Sequence, residues 1–177
     1  MLNKIESYMR TYSRQTVYPF NPNPSDFTID VVAHALSLKC RFNGQCREFY
    51  SVAQHSVIVS NACSPENQLW GLFHELDEVF LPDIPTPIKH HIKEWKELSK
   101  KHLNAGADAF GLHRLMPDEV KEMDLRALST EREDIMVDFT NLWGDLPKRF
   151  DFTIKPLSWQ ESEKLFLDKY KEIMRKL

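Results

Sequence analysis

Residues 71–89 read GLFHELDEVFLPDIPTPIK, a histidine followed by four acidic residues within nine positions, then a Pro-Thr-Pro turn and a lysine. Leu72, Phe73, Leu76, Val79 and Phe80 fall near helical spacing, which predicts that one stripe of the segment is buried. On such a helix His74 and Glu78 stand one turn apart on one face, with Glu75 adjacent. The segment is either a solvated charged face or chemistry. In the second reading a cation held by His74 and Glu75 has Glu78 close by as general acid or base, and Asp77 is left to solvent.

Working outward, the chain is punctuated as a helical protein. Only five glycines occur, and the ten prolines fall between periodic segments. Asp30 opens a helix carrying Val31, Val32, Ala35 and Leu36 and ending around Arg41. Ser51 is placed to cap a helix running VAQHSVIVSNAC. Ser64-Pro65-Glu66 turns into the helix of Leu69, Trp70, Leu72 and Phe73, so the opening stretch lies at that helix's end. Residues 88–111 alternate basic and apolar residues at helical spacing, and a long helix is predicted from Met116-Pro117-Asp118 through about residue 142. Residues 15–27 lack helical pattern and are read as an extended loop. Residues 150–154 alternate as a short strand or a loop would, and Trp159 to Leu177 closes the chain as an amphipathic helix. Its apolar residues Leu165, Phe166 and Ile173 are free to pack on their own domain or to serve an interface between copies. At 177 residues and 42% hydrophobic content, the expectation is all-α with a single domain spanning residues 1–177.

Charge and composition exclude several classes. A net charge of −3 gives no broad cationic field for a nucleic-acid polymer. The first fifteen residues are amphipathic and charged without an apolar core of the signal-peptide kind, and nowhere do eighteen apolar residues run together. A soluble, cytoplasmic protein without membrane contact is expected. The cysteines, at positions 40, 46 and 63, form no CxxC pair and are odd in number, which argues against a disulfide framework.

A hydrolytic transition metal prefers imidazole and carboxylate ligands with one position open. His74 and Glu75 supply one of each. His55, in YSVAQHSVIVS, and Asp124, in VKEMDLRALSTER, are further candidates. A lone histidine on an apolar face is ordinarily a satisfied core residue, so neither stands on its own. His34, in VVAHALS, is the rival to His55.

The stretches YSVAQHSV, GLFHELDEVFLPDIPTPIK and MDLRALSTE resemble, in order, the motifs of the HD-domain metal-dependent phosphohydrolases, in particular the small members related to 5'-deoxynucleotidases and deoxynucleoside triphosphate triphosphohydrolases. The resemblance runs from about Ile29 to Arg132. It implies an HD-domain helical bundle and a divalent metal, with Mn, Co, Zn and Mg all open. The implied ligands are His55, His74, Glu75 and Asp124. Glu78 matches the general acid or base. Arg41 and Phe42 match the residues that hold phosphate and pack on sugar or base, Asp83 an aspartate that shapes the nucleotide site, and Lys89 a lysine that contacts phosphate. The implied substrate is a deoxynucleotide, as mono- or triphosphate, and the related proteins are homo-oligomers. Where the family has His-Asp, this chain has His74-Glu75, a carboxylate with about 1.5 Å more reach. The alternative is therefore a degenerate HD-fold module that binds a nucleotide or a protein partner with weak or no hydrolysis.

Overall fold

A computed structural model describes residues 7–177. Three of the α-helices begin where a side chain accepts from one of the first free N–H groups. Thr28 accepts from Val31 at the head of α1 (Ile29–Leu38), and Ser51 accepts from Gln54 at the head of α2 (Val52–Ala62). Pro65–Asn67 form a 3₁₀ turn that leads into α3 (Gln68–Phe73). There follow a short α4 (Thr86–Lys89), α5 (Trp95–Ala109), and α6 (Asp118–Asp134) behind Pro117. Ser158 and Glu161 form a reciprocal capping box at α7 (Trp159–Met174). The fold is all-α. The strands among the described residues are β1 (Met9–Arg10) and β2 (Thr16–Val17), an antiparallel pair of two residues each. That pair replaces the start of the loop expected over 15–27. Of the amphipathic N-terminal stretch, residues 1–6 lie outside the described residues.

α7 packs across α1, α2 and α3, and α2 also touches α6. Val32, Leu36, Val52, Leu72, Phe73, Leu76 and Phe166 are fully buried in the shared core. Two glycines set how closely these elements approach. A Cβ on Gly71 would lie 2.8 Å from the Ser60 Cα, so α2 and α3 meet backbone to backbone there. A Cβ on Gly106 of α5 would lie 2.9 Å from the Leu76 side chain. No helix among the described residues is long and apolar enough to cross a membrane.

Three local expectations are corrected. The helix through GLFHELDE stops at Phe73; Glu75 sits at φ −103°, ψ 26°, and Leu76–Val79 continue as a 3₁₀ turn. In a 3₁₀ turn residues three apart share a side, so Leu76 and Val79 both enter the core. The helix expected over 88–111 is interrupted at residues 90–94, which are all exposed and offer no buried face to hold it. α6 ends at Asp134 rather than near 142, because Ile135 turns into a cluster with Tyr50 and Ile154, and the chain departs through Val137 at φ 53°. Of the two readings open for residues 150–154, the structure has the loop: the Phe150 N–H is taken by the Thr130 hydroxyl (3.0 Å) and the Ile154 N–H by the Asp134 carboxylate (2.8 Å), both on α6. Phe166 and Ile173 are buried within the chain itself, which leaves only Leu165 of the three exposed.

Candidate metal centre

The packing of α2 on α3 and α6 brings together four side chains from three separate parts of the chain. His55 lies mid-α2, His74 caps the end of α3, Glu75 follows at the helix break, and Asp124 projects from α6. One donor atom from each falls within 4.8 Å of the others, so the group could hold a metal ion. On a continuous helix His74 and Glu75 would point about 100° apart. With the backbone broken between them, Glu75 Oε1 lies 3.7 Å from both the His74 and the His55 Nε2 atoms. Asp124 Oδ1 is 3.2 Å from His55 Nε2 and 3.8 Å from His74 Nε2.

Second partners decide which ring nitrogens carry protons. His74 Nδ1 faces the Gly71 carbonyl at 2.8 Å, and His55 Nδ1 faces Glu131 Oε1 at 2.6 Å. Both partners only accept, so both Nδ1 atoms donate, and the neutral rings turn Nε2 lone pairs toward each other. Those two nitrogens are 3.0 Å apart, with two carboxylate oxygens beside them. Four acceptors converging on one point require positive charge. A divalent cation with imidazole and carboxylate ligands meets that requirement. Without one, it falls on a proton: burial and Arg41 push His55 down, but Glu131 and Asp124 outweigh them and leave it raised to about 9.

The wall behind the histidines is Glu131, also on α6 and fully buried. It accepts from His55, from the Tyr50 hydroxyl (2.8 Å) and from Arg41 Nη2 (3.1 Å). Burial alone would raise its pKa, but Arg41 and His55 hold it down at about 2. Arg41 Nη1 reaches Glu75 Oε1 at 3.2 Å, so one guanidinium ties a candidate ligand to the wall. Glu131 was given no role from sequence, although it ends the quoted stretch MDLRALSTE. Its spacing of seven from Asp124 puts both on one face of α6. The centre opens on one side: the side chains of His55 and His74 are 0% and 4% exposed, those of Glu75 and Asp124 18% and 38%.

The other predicted residues stand around this group. Glu78 is buried with Oε2 unpartnered and Oε1 3.5 Å from Lys89 Nζ; burial, then Glu75, Asp83 and Asp77, push its carboxyl well above the usual range. Asp83 and Lys89 are half-buried. Phe42 lies edge-on to Trp143, with ring centres 6.0 Å apart, and beside the Arg41 guanidinium. Asp77 is not on the solvent side as expected. It is buried, accepts from the Ser99 hydroxyl at 2.6 Å, and burial beside Glu75 pushes it up to about 6. His34 is away from the centre, 3.3 Å from Glu163 and with its ring tilted against Tyr12.

An all-α fold with two imidazoles and two carboxylates converging at a helix break defines a helical protein with a candidate metal centre. By sequence the chain belongs to the family of the uncharacterized protein YfdR of Escherichia coli K12, to which it is 32% identical over 170 residues, 94% of this chain and 96% of that one. It is also 32% identical over 125 residues to an uncharacterized protein of Rhodobacter capsulatus, covering 65% of this chain and 64% of the relative. No protein-family model matches the chain.

Proposed function

We propose that the protein is a metal-dependent hydrolase of deoxynucleotide phosphate bonds, of the HD-domain kind its motifs resemble. The observation that carries this reading is the convergence of His55, His74, Glu75 and Asp124 with both Nδ1 atoms already committed as donors. These four residues would hold the ion, with Mn, Co, Zn and Mg as candidates. A divalent cation in such a donor set supplies Lewis acidity toward a phosphoryl oxygen. The chain supplies the rest. Glu78, buried, with one oxygen unpartnered and its carboxyl pushed well above the usual range by burial and by Glu75, suits the role of general acid or base. Lys89 adds a point charge beside it for phosphate, Asp83 borders the nucleotide site, Arg41 balances the added negative charge, and Phe42 offers an apolar face to sugar or base.

The test is product analysis by mass after the purified protein, loaded in turn with Mn, Co, Zn or Mg, is incubated with a panel of deoxynucleoside mono- and triphosphates. Release of phosphate or of a longer phosphate chain is expected, and release of neither with any metal overturns the reading. One contact favours the alternative, a nucleotide-binding module with little hydrolysis: Glu75 Oε1, the longer carboxylate's contribution to the group, is also held by Arg41. A Glu75→Asp variant separates the two. Comparable rates uphold the enzyme as it stands, whereas a large activation means that Glu75 marks a weakened site.

A further inference from the structure

Cys40 and Cys46 are six residues apart in sequence, and their sulfurs lie 3.3 Å apart. Between them the backbone makes a turn of the disfavoured hand: Phe42, Asn43 and Gly44 have φ of 56°, 52° and 74°. Glycine adopts this conformation freely and asparagine tolerates it, but a bulky aromatic there is an outlier held by its surroundings. What holds it is visible. Arg41 is pinned to Glu75 and Glu131, the Gly44 and Gln45 N–H groups donate to the Arg41 and Phe42 carbonyls, and Cys40 is bridged to Ser51. The turn therefore holds Arg41 against Glu75 and Glu131, while Phe42 packs beside Trp143. Both thiols are half-exposed, whereas Cys63 is buried in another cluster.

We propose that Cys40 and Cys46 form a redox-modification site, in which a small disulfide of the glutathione class converts them to an intramolecular disulfide that locks this left-handed turn. One protein thiolate attacks a sulfur of the small disulfide and expels one thiolate. The second protein thiolate then attacks the protein sulfur of that mixed disulfide and expels the other. The protein loses two electrons and two protons, and the small disulfide is reduced to two thiols. Because the sulfurs already touch in the conformation that holds Arg41 in place, closing to a bond length near 2.05 Å needs a movement of only about 1 Å, and the bond preserves the turn. Burial and the neighbouring Cys40 thiol push Cys46 up to about 11, so attack by Cys46 is slow at neutral pH and accelerates as pH rises.

The full chain is equilibrated with glutathione at graded ratios of disulfide to thiol, alkylated, and mapped by peptide mass, then compared with the reduced chain by amide hydrogen exchange. A Cys40–Cys46 bond is expected, with exchange of Arg41 to Gln45 slowed at least about tenfold. Cys63→Ser retains the bond and Cys46→Ser abolishes it. Glutathione adducts without the internal bond, or a bond that includes Cys63, overturns the site. A Cys40–Cys46 bond with unchanged or faster exchange over the turn overturns the lock.

Discussion

Replacing Glu131 by glutamine keeps the shape of the side chain and removes its charge from the most enclosed position of the site. Glu131 receives three donors, at 2.6, 2.8 and 3.1 Å, from His55, Tyr50 and Arg41. A glutamine presents an amide N–H₂ where one carboxylate oxygen stood, so at least one of those donors meets a donor. Arg41, with a side chain 11% exposed, keeps Glu75 as its remaining salt-bridge partner. Removing one partner of a buried pair costs about 3–5 kcal/mol, against roughly 5–15 kcal/mol for the stability of a whole domain. At about 2–4 °C per kcal/mol for a domain of this size, Glu131→Gln melts roughly 6–20 °C lower. Tyr50→Phe removes one hydrogen bond and no charge, and costs about 1–2 kcal/mol. Urea denaturation at neutral pH in the presence of a chelator measures both. Calorimetric titration with Zn or Mn then reads the effect on the centre, where loss of the group orienting His55 weakens binding about 10–100-fold. If Glu131→Gln unfolds within about 1 kcal/mol of the parent, or Tyr50→Phe costs as much as Glu131→Gln, the reasoning is refuted.

Gly71→Ala drives a methyl into the Ser60 backbone and costs about 1–3 kcal/mol. Because the Gly71 carbonyl orients His74, metal titration of the folded variant also shows weaker binding. Ser158→Ala removes the cap of α7 and costs about 1 kcal/mol in a urea melt, most of which Ser158→Asp restores. His102 gives a pH dependence. Its Nε2 donates to the Pro19 carbonyl at 2.7 Å, its Nδ1 is buried without a partner, and burial holds its pKa below the ordinary 6.5. Below 6.5 the unfolded chain binds a proton that the folded chain still refuses, so the stability contribution is complete above that pH and declines as pH falls through it. His102→Gln removes up to about 1.4 kcal/mol per pH unit from the slope of stability against pH just below 6.5, and an unchanged slope refutes the assignment.

Residue chemistry and spacing carried much of this molecule, and its backbone less. The all-α class followed from punctuation by proline and from apolar periodicity. His55, His74, Glu75 and Asp124 were singled out from sequence, and the fold brings them to one point. The helix break at Glu75 was not legible, because GLFHELDE satisfies a helical pattern throughout and the cause of the break is tertiary, with Leu76 pressed against Gly106. The same misreading sent Asp77 to solvent. Glu131 went without a role because a glutamate on a charged helix looks solvated until its partners, Arg41 and Tyr50, are known to face it. Asp134 and Thr130 likewise bind backbone N–H groups some twenty residues away, contacts without a local signal.

The centre draws on positions 41, 55, 74, 75, 124 and 131, and α7, residues 159–174, completes the core beneath α1 and α2. No early fragment of the chain contains the full donor set with its wall, so during synthesis the site cannot mature until α6 has emerged and docked on α2. A cation captured there reports that assembly is finished, and cleavage anywhere between Leu76 and Pro117 followed by separation of the pieces leaves three of the four donors on one piece and Asp124 alone on the other.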